Sequence, residues 1–313
     1  MPAWRMPADT RAGTPVPASL TWHHTAGLLL VTVVWGANFV AVKAGLAQMP
    51  PFLLLALRFA AVAAILLPFV KWPPPGRFGA IVGLAVTFGV LHFSLLFLGM
   101  RAIDAATAAI AIQLQVPFGA LLAALFFKDR IGWRRLTGMA IAFAGVALIA
   151  GEPRFQGGIL PLMLVIGAAA MFAVASVQMK WLGPGIDVFT MYGWLAVLSL
   201  PPALALSLWL EEGQLAAVRN ADWRAWASIA YQAALVTVLG HGSWYRLMRR
   251  YPINLVMPFT LLVPVFGVLS GVIVLGEELT PSIIVGGLAT LVGVAIIVLR
   301  RPRAVESSTR GGL

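Results

Sequence analysis

Cysteine is absent from this 313-residue chain. Its absence rules out disulfides, thiolate nucleophiles and cysteine-held metals, and leaves the compartment open. Charge is scarce as well: Asp, Glu, Lys and Arg make up 11% of residues, against about a quarter in a soluble domain. Scarcest of all is acid within the apolar runs, since Asp104, Asp129, Asp187, Glu277 and Glu278 all stand at run ends. A proton-coupled multidrug or organic-cation exporter works through an intramembrane carboxylate, so the missing acids speak against that class. No buried Lys/Arg cluster of the kind that grips a phosphorylated sugar is present either. There is no phosphate loop, metal-ligand cluster or nucleophile–base constellation, so neither an enzyme nor a bound cofactor is expected, and Gly157-Gly158 reads as loop.

Apolar residues are what the chain has in abundance: 60% are hydrophobic and the mean hydropathy is +0.92. Runs of about 20 such residues cross a hydrocarbon core of about 30 Å as helices. The sequence holds ten: 24–45, 52–70, 78–99, 104–127, 133–150, 159–179, 188–210, 225–246, 253–275 and 282–299. The expected class is therefore an all-α polytopic membrane protein. With ten spans the loops alternate sides. Only Lys43, Arg101, Arg154, Arg219 and Arg224 fall on one side, Arg58 lies inside a span, and the remaining Lys and Arg fall on the other. Positive charge marks the cytoplasmic side, which places both termini in the cytoplasm and the protein in the inner membrane. The net charge of +11 is thus a topology signal, and no nucleic-acid partner is expected. Residues 1–23, rich in proline, read as a disordered cytoplasmic tail without the features of a signal peptide; 301–313 form a second tail.

The chain is written twice. Asp129, Gly138 and Gly145 recur at an offset of 148 as Glu277, Gly286 and Gly293, and Pro117 recurs at 147 as Pro264. Lys43 pairs with Lys180, Arg58 with Tyr192 and His92 with His241. Each half, 24–151 and 152–300, holds five helices. Five is odd, so the second half enters the membrane upside down. Inverted repeats of this kind serve alternating access in secondary transporters.

Val34-Trp35-Gly36 with Asn38-Phe39, Leu57-Arg58-Phe59, Pro117 with Asp129-Arg130-Ile131, and Leu262-Val263-Pro264 with Glu277-Glu278-Leu279 together resemble the EamA family of the drug/metabolite transporter superfamily. The pattern is closest to its YddG-like and cysteine/O-acetylserine exporters, and covers about residues 25–300. The resemblance implies ten helices in two EamA-type repeats and export of amino acids and related metabolites. It also implies a central cavity bounded by helices 1, 3, 4, 6, 8 and 9. Asp129-Arg130 and Glu277-Glu278 depart from the family's usual Glu-Arg pair.

Proline inside a span is the most informative local feature. Pro117 and Pro264 cannot donate to the carbonyls of Gln113 and Thr260 four residues back. At matched places in the two repeats, they read as hinges whose freed carbonyls face a wet cavity, or as plain kinks. Gln113 shares a helix face with Pro117 and is the cavity candidate, with Gln115 left to an interhelical bond. Trp35 and Asn38, three apart, share a face of the first span and suit cavity lining or interhelical contact equally. His92 and His241 suit a pocket, a structural bond or a proton relay. Trp244 and Tyr245 suit the pocket or the membrane interface. Arg58 either snorkels outward or binds a substrate carboxylate. The candidate substrate set is Trp35, Asn38, His92, Gln113, His241, Trp244 and Tyr245, with Pro117 and Pro264 as hinges. A pocket of amides, imidazoles and aromatics suits a neutral or zwitterionic amino acid. The missing acids favour facilitative transport. Close-packing glycines mark the fifth and tenth helices as scaffold, lipid is the surrounding partner, and a monomer is favoured.

Overall fold

The computed structural model describes residues 19–127, 131–152, 158–183 and 185–299. Most of both expected tails and the Asp129-Arg130 pair lie outside the described residues. Among the described residues nine helices are long and apolar enough to cross a membrane. They are α1 (Trp22–Leu46), α2 (Pro51–Phe69), α3 (Phe78–Ala102), α4 (Ala105–Phe127), α5 (Trp133–Ala150), α6 (Leu160–Leu182) and α7 (Val188–Leu210), followed after the next span by α9 (Met257–Leu275) and α10 (Pro281–Val298). Between α7 and α9 runs α8, residues 223–250, built from Trp223–Ala230, a wide-turned segment Tyr231–His241, and Gly242–Arg250. Its last turns carry Arg246, Arg249 and Arg250, so it is less apolar than the others. The first helix starts at Trp22, inside the stretch expected as tail. Short connections force successive helices to alternate direction, and α6 therefore starts on the face opposite to α1.

Helix pairing follows the repeat. The partners α2 and α7, α4 and α9, and α5 and α10 pack against each other across the halves, and α1 meets α8 and α9 as α6 meets α3 and α4. This is the contact pattern of a pseudo-two-fold axis between two five-helix repeats.

The α5–α10 seam is set by small residues. A Cβ added to Gly145 would lie 2.5 Å from the Gly286 carbonyl oxygen, and one on Gly138 would lie 2.7 Å from that of Gly293. Backbones can come this close only where side chains are missing. A second close approach joins α1 to α9, where a Cβ on Gly36 would lie 2.8 Å from the Val263 carbonyl oxygen. Pro264 is buried beside this crossing.

Polar groups at helix ends are satisfied both across and within the repeats. The Glu211 carboxylate accepts from the amides of Phe52 (2.7 Å) and Leu53 (3.0 Å), the first turn of α2. The Glu277 carboxylate does the same for Ala105 (2.6 Å) and Ala106 (2.9 Å) at the start of α4. Both place negative charge at a helix N-terminus, where it is stabilised. On the turn between α3 and α4, Lys43 Nζ donates to the carbonyls of Met100 (3.1 Å) and Ile103 (3.0 Å). Asp187 caps α7 through the Thr190 amide (3.0 Å) and hydroxyl (2.7 Å). Burial pushes its carboxyl upward, yet these bonds and the nearby Lys71 outweigh that and hold it below the usual carboxylate range.

Overpacking a tight contact costs about 1–3 kcal/mol or more. Gly145→Leu should therefore lower the melting temperature of the purified protein by several degrees, whereas Gly119→Leu, where a Cβ meets nothing within 4 Å, should leave it nearly unchanged.

Candidate functional site

The π-type turns of α3 and α8 organise the centre of the bundle. Ala85–His92 and Tyr231–His241 are wound with wider turns than the rest of their helices. Such bulges concentrate at functional sites, and each here ends on one of the paired histidines. In α8 the bulge leaves the Val236 carbonyl accepting from His241 Nδ1 (2.9 Å) and Trp35 Nε1 (3.4 Å). Tyr231 Oη and Ser228 Oγ donate to the α1 carbonyls of Val34 (2.9 Å) and Ala41 (2.5 Å). Across the axis His92 Nδ1 donates to the Ala168 carbonyl of α6 at 2.8 Å, and Thr87 bonds Gln178. A carbonyl only accepts, so each imidazole carries its proton on Nδ1, and a neutral ring then offers Nε2 as an acceptor.

Between these two seams lies a cavity lined by Arg58, Phe59 and Val62 of α2, Phe93 of α3, Tyr192, Leu195 and Ala196 of α7, and Thr237 and His241 of α8. Its volume is about 20 Å³, room for about one water molecule. An amino acid enters only if the helices part. Among the described residues no Asp or Glu lines it.

Arg58 is the exceptional group. Its side chain is 4% exposed, and Nε and Nη1 are buried with no hydrogen-bond partner. The guanidinium carbon sits 4.0 Å from the Phe93 ring centroid and 6.0 Å from that of Phe97. Stacking on rings offsets part of the desolvation but leaves the N–H groups unsatisfied. Facing it, a run of rings crosses the axis: Trp244 to Trp35 (5.2 Å between centroids), Trp35 to His241 (5.0 Å), His241 to Tyr192 (4.5 Å), Tyr192 to Phe88 (6.5 Å) and Phe88 to His92 (5.2 Å).

The residues singled out in the sequence are distributed unevenly about this cavity. His241 lines it, Trp35 and Trp244 back His241, and His92 stands behind Phe88 and Phe93. Asn38 and Gln113 lie on α1 and α4, away from the lining; Gln113 is buried and Asn38 Oδ1 is buried without a partner. Tyr245 is exposed. Pro117 and Pro264 are buried in helix packing, each just after a tightened turn, Ile112–Leu114 and Met257–Leu261. The tight turns carry bonds such as Gln115 N–H to the Ile112 carbonyl and Leu262 N–H to the Phe259 carbonyl. The cavity thus draws on α2 and α7 beside α3 and α8, and not on the expected α1, α4, α6 and α9; α1 and α9 close on each other at Gly36. Arg58, Tyr192 and Thr237 line the cavity and stand outside the candidate set read from the sequence. The available signal was that Arg58 and Tyr192 occupy equivalent places in the repeats.

Comparison with known proteins agrees with this architecture. The EamA-like transporter family matches residues 25–151 and again 159–299. A probable amino-acid metabolite efflux pump of Salmonella typhimurium is 35% identical over 86% of this chain and 92% of its own length. A protein of the same description from Escherichia coli is 32% identical over 89% and 96%, and a probable terminal-alkyne amino-acid exporter of Streptantibioticus cattleyicolor is 27% identical over 91% and 96%. A crystal structure covering 88% of this chain and 96% of its own superposes with a TM-score of 0.59 at 16% identity, a likeness of fold. With both halves matched, the chain belongs to the EamA-like transporter family.

Proposed function

We propose that the protein is an inner-membrane exporter that moves amino acids and related metabolites out of the cytoplasm by alternating access. The observation that carries this reading is the cavity on the pseudo-two-fold axis, where the equivalent positions Arg58 and Tyr192 meet beside His241. Rocking of the repeat 24–151 against the repeat 152–300 opens such a cavity to each face in turn. The relatives named as amino-acid metabolite efflux pumps support the cargo class. Arg58, Tyr192, Thr237 and His241 make the first contacts, with Trp35, Trp244 and His92 behind them. Asn38 and Gln113 reach cargo once α1 and α9 separate, with Pro117 and Pro264 as the hinges. Both termini stay in the cytoplasm, and the protein acts as a monomer. With no acid in the cavity transport is facilitative and follows the cargo gradient.

Proteoliposomes should therefore carry amino acids at a rate set by the cargo gradient and unchanged when an ionophore collapses a pH gradient. Carriage of quaternary ammonium dyes without amino acids would instead establish the organic-cation exporter. Pro117→Ala should slow transport several-fold with little loss of folded protein, and full transport by this variant would remove the hinge.

A further inference from the structure

We infer that the pocket selects cargo by its carboxylate alone, through Arg58, and has no counterpart for an α-ammonium. Carboxylates with an apolar body and no free amino group, such as deaminated or N-acylated amino-acid derivatives, are then cargo at least as good as the amino acids themselves. This rests on the reading of the cavity as the transport site and names what that site recognises.

A guanidinium enclosed in an apolar interior is costly unless paired. Arg58 keeps Nε and Nη1 buried and unpartnered beside the cavity it lines. Its planar array of donors matches a carboxylate better than any other common anion except phosphate. Phosphate needs more than one fixed cation, and among the described residues no Lys or second Arg lines the cavity.

An ammonium finds no such partner. Among the described residues no acid lines the cavity, and Glu211, Glu277, Asp187 and Asp222 are engaged at helix ends: Glu211 on α2, Glu277 on α4, Asp187 on Thr190 and Asp222 on the Arg224 amide. The Thr237 hydroxyl donates to the Gln232 carbonyl at 2.9 Å. What remains are neutral acceptors, the lone pairs of the Thr237 and Tyr192 hydroxyls and Nε2 of a neutral His241, and none of them offsets the repulsion between a substrate ammonium and Arg58 at low dielectric. The other walls, Phe59, Val62, Phe93 and Leu195, suit an apolar body.

The test uses three molecules of one shape: leucine, 4-methylpentanoate and 3-methylbutylamine, titrated calorimetrically into the purified full-length protein. The acid should bind at least as tightly as leucine, and the amine at least tenfold more weakly than either. Arg58→Gln should weaken acid binding at least tenfold while keeping or raising the melting temperature of the unliganded protein, since it removes an uncompensated buried charge. Arg58→Lys should restore part of the binding. A lowered melting temperature in Arg58→Gln together with lost binding would make Arg58 structural and overturn the inference. So would amine binding on a par with the acid, or leucine binding without acid binding. Acid binding through Arg58 without any leucine transport would uphold carboxylate selection and overturn the amino-acid exporter reading, whereas leucine transport without acid binding would do the reverse. Binding of none of the three would count against both.

Discussion

The Arg58 guanidinium, buried against Phe93 with two nitrogens lacking acceptors, is the group on which the account of this molecule turns. Taking an ion of this size out of water costs several kcal/mol even after relaxation, and the helices around it supply rings in place of a counter-charge. Several other charged and ring groups of the bundle are bonded. Glu211 and Glu277 cap helices of the other repeat, Lys43 covers the carbonyls at the end of α3, and the paired histidines bond carbonyls. Of the described residues that line the cavity, Arg58 is the cation whose buried donors stay open, and a ligand carboxylate is the partner inferred for it.

The duplication explains why the open group is where it is. Positions on a pseudo-two-fold axis meet their own equivalents, so α2 faces α7 and the histidine of α3 lies across the axis from that of α8. The repeats have diverged at this meeting point, with Arg58 on one side and Tyr192 on the other. One charge on the axis gives the cavity a sign, and two would repel. The two wide turns that end on His92 and His241 shape both walls in the same way. The glycine seam of α5 and α10 lies away from the cavity, where rigidity does not hinder motion.

The fold was largely legible in the sequence, because membrane helices declare themselves through long apolar runs and the repeat through glycines and prolines at constant offset. Even α8, the most polar span, was found from its apolar middle, and only its Arg-rich end departs from the pattern. The site was less legible. Arg58 stands about 10 Å into its helix at 1.5 Å per residue, a depth from which a long side chain can reach either water or the interior; only tertiary packing turned it inward. The wide turns have no compositional signature, so nothing announced that Val236 would accept bonds from Trp35 and His241. The prolines were conspicuous for a local reason, the missing N–H, yet both are buried in helix packing, Pro264 beside the close α1–α9 crossing, and their helices are not those that wall the cavity. Glu277 was seen at a run end, but its partners Ala105 and Ala106 stand more than 150 residues away.

The native chain has no cysteine, so one introduced thiol reports from a single place. Val62→Cys puts it on the cavity wall, and the direct measurement is its reaction with a membrane-impermeant maleimide in right-side-out and inside-out vesicles. Alternating access at this cavity predicts labelling from both faces and suppression of both by saturating cargo. Labelling from one face under every condition, or labelling that cargo leaves unchanged, would contradict it.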